Sequence, residues 1–192
     1  MEPMPFTEKL SSEGQKTLLK VVKQSIQYGL EEGTPLPINF TDYPGELTQQ
    51  RATFVTLKIA DQLRGCIGTL EAHLPLIEDI ARNAFSAAFK DPRFPPVSEA
   101  EVENLDIHLS LLTEPEPIEF DSQQDLLGKI RPSVDGLILE EGSHRGTFLP
   151  SVWESLTTPE SFLEHLKMKA GLSREYWSTS LKIYRYRAEA IE

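Results

Sequence analysis

The stretch Leu63-Arg64-Gly65-Cys66-Ile67-Gly68 gathers the residue types best suited to chemistry. It carries the single cysteine of the chain, with an arginine two positions before it. One glycine directly precedes the sulfur and another follows two positions on. The thiolate is the reactive form of cysteine, and a nearby guanidinium favours it. A free thiol titrates near about 8.5, and such surroundings lower that by one to several units. On a regular strand, residues two apart share a face, so Arg64 and Cys66 stand together provided no bulge intervenes. Glycine has no Cβ, so Gly65 and Gly68 open the backbone either to a ligand or to a closely packed helix. Cys66 itself reads either as a nucleophile or as a small buried core side chain. The residues alone leave both choices open.

Most nucleophilic catalysis needs a base beside the nucleophile. The chain has four histidines, His73, His108, His144 and His165, and no motif ties any of them to Cys66. Glu71 and Asp91 are candidate partners by sequence proximity. Arg64 and Arg93 are both suited to grip a carboxylate or phosphate with two hydrogen bonds. The plainer use of Arg93 is an ion pair with Asp91 or Glu71. Asp91 before Pro92 reads first as a helix-ending cap or salt-bridge partner. No His, Cys and Glu cluster has metal-ligand spacing, and there is no cysteine pair, so no metal or cofactor is expected. Ser110 and Ser151 lie outside any nucleophile elbow. The glycine-rich stretch lacks the lysine and strand-to-helix setting of a phosphate loop.

Composition narrows the class. The chain has 192 residues, 39% hydrophobic and 26% charged, which suits a soluble domain or two small lobes. A net charge of −11 disfavours non-specific nucleic-acid binding, which relies on Lys and Arg at phosphates. Positive charge collects near the C-terminus at Lys167, Lys169, Arg174, Lys182, Arg185 and Arg187, a pattern read as solvated helix and strand faces. Tyr184-Arg185-Tyr186-Arg187 suits cross-strand aromatic packing better than base stacking. No apolar run is long enough for a membrane span, and Met1 to Phe6 lacks a leader pattern. One cysteine fits a reducing compartment, so a cytoplasmic location is expected, with nuclear residence open for a eukaryotic chain.

The positioning elements follow from periodicity. Leu18, Val22 and Ile26 predict an amphipathic helix over about 13–31, closed by Gly33. Residues 34–48, with Pro35, Pro37 and Pro44, read as a long loop. Alternation predicts strands over 52–59 and 63–70, joined at Asp61-Gln62, so the cysteine lies on the second strand of a hairpin. Pro75 opens a core helix that runs to Phe89, with Glu78 and Asp79 in its first turn. Asp91-Pro92-Arg93-Phe94-Pro95-Pro96 stiffens the exit. A helical turn at Ser98 to Glu101 and a strand over 106–113 follow. Glu114-Pro115-Glu116-Pro117 breaks that strand. A short helix over 122–129, a strand over 135–140 returning through 147–149, a helix from Pro159 to Gly171 and a last strand over 180–188 complete the chain. The order strand, turn, strand with Arg-Gly, proline-started helix, strand occurs twice and reads as a weak internal duplication. It aligns Arg64-Gly65 with Arg145-Gly146 and Cys66 with Thr147. If Arg-Gly serves a shared fold, the thiol is what is peculiar to the first half.

Leu63-Arg64-Gly65-Cys66-Ile67-Gly68 resembles the signature of the AMMECR domain family. The resemblance extends to Arg51 through Leu57, to Ala87-Ala88-Phe89 with Asp91-Pro92-Arg93-Phe94, and to Asp135-Gly136-Leu137, Phe148-Leu149-Pro150 and Lys169-Ala170-Gly171-Leu172. It covers the chain from about Leu10 to the last strand. It implies one α+β domain with a largely antiparallel sheet, flanking helices and two lobes, approximately 10–115 and 116–192, around a cleft. It also implies Memo-like and radical-SAM proteins as partners. The family carries no settled activity. The resulting expectation is that the cleft handles a substrate or intermediate, a small molecule or peptide, at the Arg64-Gly65-Cys66 motif. Cys66 would be the nucleophile, and Arg64, Gly65, Ile67, Gly68, Asp91 and Arg93 would form the binding surface. The alternative is a protein–protein interaction or regulatory module without chemistry.

Overall fold

The computed structural model describes residues 9–192. The Met1 to Phe6 stretch read above lies outside them. The chain forms two compact units: one runs to Leu112 and takes back Glu189–Glu192, and the other is Thr113–Ala188.

In the first unit, helix α1 (Ser12–Glu32) starts where the Ser11 hydroxyl accepts the Gly14 N–H and ends at Gly33, whose φ of 71° is the left-handed turn that favours glycine. Its Leu18, Val21, Val22 and Ile26 are buried. The expected long loop contains more structure than its prolines suggest. A 3-10 turn at Phe40–Asp42 is held by the Asn39 side chain, and α2 (Gly45–Thr48) buries Leu47 completely.

Strand β1 (Thr53–Ile59) turns through Ala60 and Asp61, at φ of 49° and 61°, into β2 (Gln62–Gly68). Two successive positive φ values give the turn whose twist suits a hairpin. Helix α3 (Leu76–Phe89) lays Leu76, Ile77, Ile80, Ala81, Ala84 and Ala88 into the same core as Val55, Leu57, Leu109 and Leu111. The one-turn α4 (Glu99–Val102) has a full capping box between Ser98 and Glu101. Strand β3 (Asp106–Leu112) pairs antiparallel with β1.

In the second unit come β4 (Glu116–Pro117), α5 (Gln123–Lys129), β5 (Gly136–Glu141), β6 (His144–Phe148), a 3-10 turn at Pro150–Glu154, α6 (Pro159–Lys169) and β7 (Lys182–Tyr186). Leu137, Leu139, Trp153, Phe162 and Leu166 form its core. Trp153 stacks on Phe162 at 3.9 Å and donates from Nε1 to the Asp135 carbonyl at 2.7 Å. Tyr186 is buried, with its ring where a Cβ on Gly136 would sit, so the aromatic run serves packing. The C-terminal basic residues are not one solvated face. Lys167 is buried and donates to Gln123 Oε1 at 3.1 Å, and burial pushes its pKa down.

The predicted last strand is two strands in two sheets. Arg187 spends its carbonyl on the Thr113 N–H and its N–H on the Thr113 hydroxyl, which ends β7 and diverts the chain into β8 (Ala188–Ile191). The sheet orders are β2-β1-β3-β8 and β4-β7-β5-β6. Each therefore contains a hairpin whose first strand pairs with the strand that follows the next long helix. The fourth strands are exchanged: β4 follows β3 in the chain and joins the second sheet, while β8 follows β7 and joins the first. The fold is mixed α and β, with two antiparallel sheets and six α-helices among the described residues. No helix among these residues is long and apolar enough to cross a membrane.

Candidate functional site

Strand β2 is an edge strand, and its pairing with β1 is irregular at the cysteine motif. Leu57 faces Gly65 and Lys58 faces Leu63, so Arg64 is the extra residue of a bulge. The bulge removes the simple alternation by which Arg64 and Cys66 would have shared a face.

Arg64 is accordingly a strut. Its Nε donates to Glu101 Oε1 at 2.7 Å, and Nη2 donates to Glu101 Oε2 at 3.1 Å and the Pro96 carbonyl at 3.3 Å. Nη1 donates to the Pro95 carbonyl at 2.9 Å. The side chain is 12% exposed. Arg64, with Ser98 N–H and hydroxyl donors, pulls the Glu101 carboxyl down to about 2. This guanidinium binds the proline-rich exit of α3 to the edge strand.

The glycines are also used by the fold. A Cβ on Gly65 would lie 2.1 Å from the Ala87 carbonyl oxygen of α3. A Cβ on Gly68 would lie 2.2 Å from the Phe54 ring and 2.4 Å from the Thr53 carbonyl oxygen. The helix and the aromatic ring occupy the space that a side chain would need at these two positions. Ile67 packs against the first core.

Asp91 and Arg93 act on the backbone of Cys66. An edge strand leaves alternate N–H and C=O groups unpaired. Asp91 Oδ2 accepts the Cys66 N–H at 2.9 Å, and Arg93 Nη2 donates to the Cys66 carbonyl at 3.3 Å. The pair thus stands in for a neighbouring strand. Arg93 also donates to Asp91 from Nε at 2.9 Å, from Nη2 at 2.7 Å and from its main-chain N–H at 3.1 Å. Those bonds, with the Cys66 N–H, hold the Asp91 carboxyl well below the usual carboxylate range although burial opposes them. Asp91 in turn raises the Arg93 pKa, and the nearby Cys66 sulfur adds to that. The Asp91 side chain is 2% exposed and that of Arg93 is 55% exposed, so the guanidinium is anchored on one edge and open on the other.

The second unit repeats the cation half of this arrangement without the sulfur or the carboxylate. Leu139 faces Gly146 as Leu57 faces Gly65. A Cβ on Gly146 would lie 3.0 Å from the Ala170 nitrogen at the end of α6. Lys169 Nζ donates to the Thr147 carbonyl at 2.8 Å, as Arg93 does to Cys66. The close-packed glycine and a following cation recur in the second unit, whereas Arg145 pairs with Glu140 across the hairpin at 3.3 Å in regular register, and the thiol belongs to the first unit alone.

Cys66 is a half-buried free thiol. Thr56 faces it on β1, with Oγ1 at 3.2 Å from Sγ. Thr56 also faces His108 on β3, and His108 Nδ1 is 2.9 Å from Glu192 Oε1. Thr56, His108 and Glu192 were not singled out by sequence reasoning. Alternation places Thr56 and His108 on outer faces, but the register that lines them up with Cys66 is a long-range pairing. Of the two carboxylates near Cys66 in sequence, Asp91 reaches its backbone, and Glu71 pairs with His73 at 3.0 Å. Among the described residues no group of three or more His, Cys, Asp or Glu side chains converges as a metal site.

Comparisons with known proteins agree with this architecture. The family model described as AMMECR1 matches residues 19–191. A protein of Methanothermobacter thermautotrophicus is 40% identical over 186 residues, covering 94% of each chain. Protein MJ0810 of Methanocaldococcus jannaschii is 42% identical over 158 residues, covering 78% of this chain and 77% of its own. The crystal structure of uncharacterized protein PH0010 from Pyrococcus horikoshii superposes with a TM-score of 0.87 at 35% identity, covering 95% of this chain and 93% of that one. A match through nearly the whole of both units, with the cysteine stretch inside it, places this chain in the AMMECR1 family.

Proposed function

We propose that the chain handles an anionic, electrophilic substrate or intermediate at the outer side of β2, with Cys66 as nucleophile or covalent anchor. One observation carries this reading. In Leu63-Arg64-Gly65-Cys66-Ile67-Gly68 the arginine, both glycines and the isoleucine are engaged by the fold, and the thiol's hydrogen-bond partner is a single hydroxyl at 3.2 Å. Arg93 takes the anion-holding role first assigned to Arg64, because its guanidinium is both fixed by Asp91 and 55% exposed. Memo-like and radical-SAM proteins are the partners that family resemblance proposes for the reaction.

The test is alkylation of the full chain followed by intact mass. Cys66 should react with iodoacetate faster than glutathione does at neutral pH, and Arg93→Gln should slow iodoacetate more than the neutral iodoacetamide. Cys66→Ser should abolish turnover in the reconstituted partner system. Ordinary reaction rates together with full turnover by Cys66→Ser overturn the reading.

A second reading is a docking or regulatory module without chemistry. Leu63, 40% exposed on the edge strand, favours it. Under that reading Leu63→Lys weakens partner binding and Cys66→Ser leaves it unchanged.

A further inference from the structure

We propose a second binding site in the first unit, where the hollow between α1 and the start of β3 takes a small zwitterion: an ammonium and a carboxylate on an apolar body, as in an α-amino acid with a hydrophobic side chain. This site does not involve Cys66 and is independent of the reading given above.

The hollow holds about 430 Å³ and opens to solvent. Small-ligand clefts have this size and combine an apolar lining with a few polar groups that fix orientation. Leu19, Leu105 and Ile107 supply the apolar lining. Leu105 belongs to the first core, and Leu19 and Ile107 pack against it, so the fold itself holds this surface in place.

The rim carries charges of both signs, each from a different element. Lys23 rises from α1 four residues after Leu19, on the same helix face. Asp61 comes from the turn between β1 and β2, where its φ is 61°. Asp106 opens β3. Among the described residues, none of these three side chains makes a hydrogen bond or ion pair, and Asp106 is unbonded even to its register partner Lys58. The rim therefore offers one ammonium and two carboxylates that the fold has not used. His108 and Glu192 also border the hollow, but they are engaged with each other at 2.9 Å.

Charge complementarity selects the occupant. The ligand's ammonium goes to Asp61 and Asp106, its carboxylate to Lys23, and its apolar body over Leu19, Leu105 and Ile107. Lys23 disfavours a simple cation, and the two carboxylates disfavour a simple anion. The net charge of −11 attracts cations to the whole protein, so preference for a zwitterion over an amine with the same body separates this site from general attraction.

The experiment titrates the isotopically labelled full chain with L-phenylalanine, phenethylamine and 3-phenylpropionate and follows amide shifts by NMR. These probes share one body and carry both charges, the ammonium alone and the carboxylate alone. Glycine carries both charges without the body. Exposed charge pairs contribute modestly, so L-phenylalanine should bind about three- to fivefold more tightly than either single-charge probe, with millimolar affinity. Its shifts should centre on Leu19, Lys23, Asp61, Leu105 and Asp106, and glycine should bind more weakly than L-phenylalanine. Lys23→Gln should reduce L-phenylalanine to the affinity of phenethylamine. Asp61→Asn combined with Asp106→Asn should reduce it to that of 3-phenylpropionate. Thermal melts of these variants should match wild type, since the side chains have no partners in the fold. An absence of shifts at the hollow, or unchanged selectivity in the variants, overturns the proposal. Phenethylamine binding as tightly as L-phenylalanine also overturns it and assigns the hollow to organic cations instead. None of these outcomes bears on alkylation of Cys66.

Discussion

Asp91 and Cys66 are joined through the main chain, with the Asp91 Oδ2 accepting the Cys66 N–H at 2.9 Å. The carboxylate thereby closes the edge of β2 and carries Arg93 beside the sulfur. Asp91→Ala should cost about 2–3 kcal/mol, since it strips a buried N–H and a guanidinium of their charged acceptor. Because the folded Asp91 pKa is depressed, its contribution is complete above the unfolded value near about 3.9 and is lost as pH falls below that. Urea titrations from pH 7 to pH 2 should show wild type losing stability along this limb, and Asp91→Asn, weaker at neutral pH, converging on it.

Gly65 and Gly128 predict opposite outcomes for the same substitution. Gly65→Ala drives a methyl against the Ala87 carbonyl oxygen, a backbone atom that cannot turn away, and should cost about 3 kcal/mol or leave the protein insoluble. Gly128 lies in α5 with nothing within 4 Å of its Cβ position. Gly128→Ala should raise stability by about 0.5–1 kcal/mol, because alanine loses less entropy on entering a helix. Denaturation midpoints of the two variants check both signs.

Asp79 is a buried carboxylate held by hydroxyls and an amide. Thr53 Oγ1 donates to its Oδ2 at 2.6 Å, Asn83 Nδ2 donates to the same oxygen at 3.0 Å, and the Thr69 hydroxyl lies 3.0 Å from both oxygens. Burial raises its pKa, and those hydrogen bonds oppose the rise only in part. A raised folded pKa favours the protonated form, so the folded state weakens as pH rises from about 3.9 through the folded value. Asp79→Asn keeps the shape and removes the charge. It should match or exceed wild-type stability at pH 7, and the difference should shrink as pH falls toward 4.

Tyr186 should titrate late. Burial pushes its phenol up to about 12, although a bond with the Thr147 hydroxyl opposes the shift. Its hydroxyl donates to the Phe148 carbonyl at 3.0 Å. Ultraviolet titration should leave one late-ionising tyrosine at pH 11 in the folded protein, and Tyr186→Phe should delete that last step. Burial, with the Asp42 carboxylate, also raises Tyr43, so Tyr186→Phe leaves a tyrosine that titrates above the ordinary phenol value.

Much of the architecture was legible before any coordinates. Helical spacing at Leu18, Val22 and Ile26, alternation through β1, and the prolines that open α3 and α6 are local signals, and each element formed where its signal stood. The repeated order of elements was readable for the same reason. Asp91 with Arg93 was expected as an ion pair, being two residues apart, and the structure adds what that pair holds.

The partner of Arg64 is not legible in the sequence, because Glu101 lies 37 residues away and meets it only once the proline-rich exit of α3 folds back along β2. The bulge at Arg64 and the split of the last strand depend on pairings that no residue type announces. Residue types and their spacing were enough to establish most of the longer helices and strands and to isolate the one thiol, but not α2 or β8. Which groups meet that thiol, Thr56 from the next strand and Arg93 from beyond a helix, was left to tertiary packing. Propensity and periodicity act over a few neighbouring residues, whereas cross-strand register and edge closure are settled only when distant segments bury one core together.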